Sequence, residues 1–206
     1  MFDLDGTLVD SVADVAAAID RMRREMHLPE PGLEQVRNWV GRGAEALLDK
    51  VMADCPGQFA LRQEAGERFA RAYREAVHVH SRLFDGVDAA LQLFATWCPL
   101  VCITNKPWCF TQPLLASLGL DKRFELILAG DSLSHKKPHP LPVLHALHHF
   151  GVQPASALMV GDSRHDVAAA HAAGVRCIAL TWGYNHGEPI EDCDPDWIVD
   201  AFVDLL

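Results

Sequence analysis

The sequence predicts an α/β fold: a Rossmann-like parallel sheet core with helices on both faces, plus an all-helical cap domain inserted after the first strand. Three observations carry this prediction. The opening residues read as the end of a strand running into a Gly6-Thr7 turn. From about residue 12 to residue 81 the pattern is helical only. From Phe84 onward, short apolar runs alternate with helical stretches, as in a parallel sheet wrapped by helices.

In the helical segment, Val12, Val15, Ala16 and Ile19 recur at helical spacing, and so do Phe69, Ala72, Tyr73 and Ala76. Pro29, Pro31-Gly32, Gly41 and Pro56-Gly57 divide it into four helices. The Phe69/Tyr73 stripe reads as the core of this segment. The later apolar runs fall at 100–104, 126–130, 157–161, 177–182 and 197–199, with helices at 87–95, 108–118, 142–150 and 166–173. Pro113 lies inside one of these helices and predicts a kink or a restart there. The expected division is therefore residues 1–11 and 82–206 for the α/β core and 12–81 for the cap. Only Met1 and Phe2 precede Asp3, whereas a strand usually runs about 5–6 residues, so the natural chain is expected to begin upstream.

Half of the 206 residues are hydrophobic and the formal net charge is -10, which argues against a nucleic-acid or anionic-membrane surface. No apolar stretch approaches the ~20 residues needed to span a bilayer. The six cysteines form no C-x-x-C pair, and a reducing, cytoplasmic setting is expected.

Four clusters supply chemistry. In Asp3-Leu4-Asp5-Gly6-Thr7, the carboxylates at i and i+2 share one face of a strand end. Open α/β sheets bind ligands at that end. Such a pair suits a divalent cation, or divides the roles of nucleophile and general acid; a solvated acidic turn accounts for it equally well. Gly161-Asp162-Ser163-Arg164-His165-Asp166 places a second acid after an apolar run. Helix capping explains Ser163 and Asp166 but not Asp162. Thr104-Asn105-Lys106-Pro107 sets a hydroxyl and an amide before a helix, suited to phosphate oxygens or to an ordinary cap. In Lys136-Lys137-Pro138, the proline biases Lys137 to an extended backbone that presents its side chain.

The ordered set D-x-D-G-T, T-N, K-P-x-P and G-D-S-x-x-D resembles the haloacid dehalogenase-like hydrolase superfamily over nearly the whole chain. Within it, the chain looks most like bacterial phosphoglycolate phosphatases, through Ile103-Thr104-Asn105-Lys106-Pro107 and the segment from Leu180 to Gly187. The resemblance implies a phosphatase using an aspartyl-phosphate intermediate. Asp3 would be the nucleophile and Asp5 the general acid and base. Mg²⁺ would be held by Asp3, the Asp5 carbonyl and Asp162, oriented by Asp166. Thr104 and the Asn105 backbone would hold phosphate oxygens, and Lys137 would neutralise charge. The helical segment would close over the site. In its Val40-Gly41-Arg42-Gly43 loop, Arg42 suits a substrate carboxylate by guanidinium geometry, or is a solvated surface arginine; it departs from the smaller polar residue commoner there in the family. The expected ligand is a small anionic phosphorylated metabolite, bound by a monomer or homodimer. Pyrophosphate, nucleotide or sugar-phosphate hydrolysis, phosphoglucomutase-type transfer, and a non-catalytic binding role are the alternatives.

Overall fold

The computed structural model describes residues 1–55 and 57–205. Pro56, part of an expected helix break, and Leu206, the end of the expected core, lie outside the described residues.

Strand β1 (Val9–Asp10) pairs antiparallel with β2 (Arg82–Leu83). Between them run four helices, α1 (Val12–Glu25), α2 (Leu33–Arg37), α3 (Ala44–Val51) and α4 (Gln58–Glu75). The chain thus leaves and re-enters the rest of the fold through one short two-stranded ribbon. Asp14, in the first turn of α1, reinforces this neck: its buried carboxylate accepts bonds from the backbone of Val79, His80 and Ser81. The four helices share an apolar core built from the expected stripes, including Val15, Ile19, Phe69 and Tyr73, and it also takes in Phe110 and Tyr184.

After the ribbon come α5 (Val87–Phe94), β3 (Val101–Ile103), α6 (Trp108–Ser117), β4 (Leu126–Leu128), α7 (Leu141–Phe150), β5 (Leu158–Gly161), α8 (Arg164–Ala172), β6 (Arg176–Leu180) and β7 (Trp197–Val199). Strands β3 and β4 pair in parallel, as do β5, β6 and β7. The N-terminal residues join these two groups. Phe2 exchanges backbone bonds with Val101 and Ile103 on one side, while Met1 and Asp3 bond Val160 on the other. The lateral order is therefore β4, β3, residues 1–3, β5, β6, β7.

Side-chain alternation assigns the two faces. Cys102 and Val160 point into a core with Leu91 of α5 and Leu114 of α6. Val101, Ile103 and Met159 point into another with Val143 of α7 and Val167 of α8. Helices therefore cover both faces of the sheet, which explains why its strands read as continuous apolar runs. Of the kink or restart expected at Pro113, the restart does not occur: α6 continues through it as one element. The carbonyl that loses its helical partner belongs to Cys109, which is exposed. No helix among the described residues is long and apolar enough to cross a membrane.

Candidate active site

The strand ends converge on one buried cluster of charge. Asp3 sits where the N-terminal residues leave the sheet, Asp162 just beyond β5, and Asp166 in the first turn of α8. Carboxylate oxygens from the three lie within 4.8 Å of one another, and all three residues are buried. Lys137 reaches in from the loop before α7. Its Nζ lies 2.8 Å from Asp3 Oδ1 and 2.6 Å from Asp166 Oδ1, and donates to the Ile103 carbonyl.

Neighbouring dipoles fix each acid. Asp162 accepts bonds from the Thr7 hydroxyl and the Tyr184 backbone, each at 2.6 Å. Asp166 accepts from the Ser163 backbone and hydroxyl, forming the expected capping box while its other oxygen holds Lys137. The same carboxylate thus caps α8 and holds Lys137. Two glycines make room for Asp162. Gly6, at φ +90°, and Gly183 both stand so close that a Cβ at either position would overlap its carboxylate.

Burial pushes the Asp3 carboxyl up to about 7, against the pull of Lys137 and with help from the Asp166 charge. Asp162 is also raised well above the ordinary carboxylate range, first by burial and then by Asp3 and Asp166. Burial opposes the Lys137 charge, but Asp166 and Asp3 outweigh it and hold the ammonium above its usual value. Three crowded, buried carboxylates beside one ammonium have the chemistry of a site for a hard divalent cation, whose charge would relieve their repulsion.

Asp5 faces a separate set of partners. Its carboxylate accepts from the Ser11 hydroxyl and lies 3.0 and 3.1 Å from Lys106 Nζ. Lys106 is itself buried and stands 4.8 Å from the centre of the Tyr73 ring. The Thr104 hydroxyl is buried and accepts from the Lys106 backbone. The Asn105 amide donates to the carbonyls of Gly41 and Lys137, tying the loop after α2 to the lysine loop. Asp3, Asp5, Thr104, Asn105, Lys106 and Tyr73 all line one cavity, which Val15, Phe69 and Phe110 also help enclose. Arg42 is exposed and lines the neighbouring cleft with Lys137 and His165.

Sequence reasoning gave no role to Lys106, Ser11, Thr7, Tyr73, Gly183 or Tyr184 at this site. A signal for Lys106 was present, since Lys106-Pro107 repeats the lysine-proline logic applied to Lys137-Pro138. Nothing local marks Ser11 or Tyr184, whose contacts join residues more than 170 positions apart in the case of Ser11 N to Tyr184 Oη.

Residues 1–180 match a family described as haloacid dehalogenase-like hydrolase. A phosphoglycolate phosphatase of Nitrosococcus oceani is 42% identical over 209 residues, covering 100% of this chain and 93% of the relative. One from Pseudomonas putida is 44% identical over 211 residues, covering 100% of this chain and 77% of the relative. The crystal structure of a predicted phosphoglycolate phosphatase from Haemophilus somnus superposes with a TM-score of 0.94 at 37% identity, over 99% of this chain and 94% of that one.

Proposed function

The chain belongs to the haloacid dehalogenase-like hydrolases, and we propose that it is a phosphomonoesterase that converts 2-phosphoglycolate to glycolate and phosphate. The observation that carries the reading is the contact of the Asp3 carboxylate with Lys137 inside the cluster completed by Asp162 and Asp166. Whole-length similarity to the relatives' phosphatases supports the choice of ester.

In this reading an Asp3 oxygen attacks phosphorus and the bond from phosphorus to the glycolate oxygen breaks. Asp5 gives its proton to the departing oxygen. Asp5 then takes a proton from water as that water attacks phosphorus, and the bond to Asp3 breaks to release phosphate. Lys137 offsets the repulsion between the anionic nucleophile and the anionic phosphoryl group. Thr104 and the Asn105 backbone line the cavity beside Asp3, where they serve the phosphoryl oxygens. Asp3, the Asp5 carbonyl and Asp162 would hold Mg²⁺, with Asp166 orienting them. That ion would supply positive charge against the phosphoryl oxygens.

Residues 12–81 would act as a cap over a core made of 1–11 and 82–206, excluding water on closure. The β1–β2 ribbon and the Asp14 bonds at the neck support this division. Arg42, at the rim of the neighbouring cleft, serves as an outer contact for the anionic ester. The six free thiols accord with a reducing, cytoplasmic setting, as a monomer or homodimer. Phosphate release from a panel of small esters, with and without Mg²⁺, tests the function. Selective, metal-dependent release from 2-phosphoglycolate is expected; a preference for pyrophosphate, a nucleotide or a sugar phosphate would replace the substrate assignment.

A further inference from the structure

The cavity over Asp3 has a second polar pole that the hydrolytic roles leave unused. Tyr73, on α4, is 1% exposed, yet its hydroxyl has no hydrogen-bond partner among the described residues. A buried hydroxyl without a partner is costly, and such groups call for an explanation. Lys106, which lies over the ring of the same tyrosine, carries three N–H donors. Its Nζ is held by the two oxygens of Asp5 and stands near the Tyr73 hydroxyl without a full hydrogen bond to it, so one N–H can turn to a further acceptor. Around these groups the walls are apolar, with Val15, Phe69 and Phe110 among them. Two adjacent donors in a cavity walled partly by apolar side chains, one of them charged, match an anion with two acceptor oxygens.

We propose that Tyr73 Oη and Lys106 Nζ receive a carboxylate borne by the leaving group, making the site selective for short phosphorylated carboxylic acids. The inference rests on the phosphatase reading above and names the residues that set its substrate. The phosphoryl group lies at Asp3, whose carboxylate Lys137 touches, and the carboxylate lies at Tyr73 and Lys106 in the cavity that Asp3 also lines. Asp5, in contact with Lys106, lines the same cavity. Because Tyr73 belongs to α4, the carboxylate pole is complete only when the helical segment sits against the sheet as it does here. Arg42 lines a different cleft and does not share this pole.

The test compares two esters of equal length, 2-phosphoglycolate and ethyl phosphate, which lacks the carboxylate. Wild-type enzyme is expected to favour 2-phosphoglycolate in kcat/KM. Tyr73→Phe removes only the hydroxyl, and should lower that preference about 10-fold, mainly through KM. Free glycolate should inhibit ethyl phosphate hydrolysis competitively, and about 10-fold more weakly in Tyr73→Phe. Lys106→Gln should erode the preference further while slowing both esters, because Lys106 also touches Asp5. A preference in Tyr73→Phe within about twofold of wild type would overturn the proposal, since a loss of that size is below any buried hydrogen bond. A wild-type enzyme that hydrolyses both esters equally would overturn it too, while leaving the phosphatase reading intact. Release from neither ester would remove the phosphatase reading and this inference with it.

Discussion

Replacing Lys137 with methionine keeps the length of the side chain and removes the ammonium that touches both Asp3 and Asp166. The wild-type group is 3% exposed, with Nζ 2.8 and 2.6 Å from the two carboxylates. Removing one partner of a buried ion pair costs about 3–5 kcal/mol, because the remaining charge is left without compensation. For a domain of this size each kcal/mol shifts Tm by roughly 2–4 °C, so a fall of about 6–20 °C is expected without divalent cation. The loss depends on pH. Asp3 is already raised to about 7 with Lys137 present, and without it the carboxyl is raised further. In acid Asp3 relieves the variant by taking a proton; at alkaline pH it cannot. Unfolding in EDTA should therefore show a larger deficit near about pH 8 than near about pH 5.5. Added Mg²⁺ should restore part of the difference, since the ion supplies charge to the same oxygens. A Lys137→Met protein as stable as wild type in EDTA at alkaline pH would refute the reasoning, as it would mean the acids do not need the ammonium.

Two further outcomes follow from the acid cluster. Gly183→Ala places a methyl group where the Asp162 carboxylate now lies, so the variant should lose most of its Mg²⁺-dependent thermal shift and at least about 10-fold in activity, read by melting with and without Mg²⁺ and by phosphate release. Asp3 holds a proton up to about 7 in the folded protein, against 3.8 for a free carboxyl. Because folding raises this value, the metal-free protein loses stability as pH rises through that window. Cation binding must displace the proton, so Mg²⁺ affinity measured by calorimetry should climb as pH rises through about 7. Affinity independent of pH between about 5 and 7 would contradict the shift.

Much of this arrangement is legible in the sequence because it depends on local pattern. Strands buried on both faces appear as apolar runs, and each run from 100–104 to 197–199 has its strand in the structure. Thr104 and Asp162 follow such runs directly, so their place at the strand ends comes with the strands themselves. The ribbon of Val9–Asp10 and Arg82–Leu83 was not legible, since two-residue strands carry no periodicity and their pairing spans the whole helical segment. The burial of Lys106 was not legible, because it depends on Tyr73 and Asp5, which arrive from distant parts of the chain. Tyr73 was legible as part of a core stripe, and it does pack in that core with Phe69 and Phe110. Its unpaired hydroxyl is a property of the assembled cavity. At Pro113 the helix does not restart, and an exposed Cys109 lets α6 continue past the lost hydrogen bond.

The central claim is that Asp3 accepts the phosphoryl group, and rapid acid quenching tests it most directly. The enzyme would be mixed with Mg²⁺ and 2-phosphoglycolate carrying a radiolabelled phosphoryl group, quenched within a turnover, and digested. Label should appear on the N-terminal peptide containing Asp3, be released by hydroxylamine as an acyl phosphate, and be absent from Asp3→Asn. Phosphate production with no label on that peptide, or activity surviving in Asp3→Asn, would contradict the account.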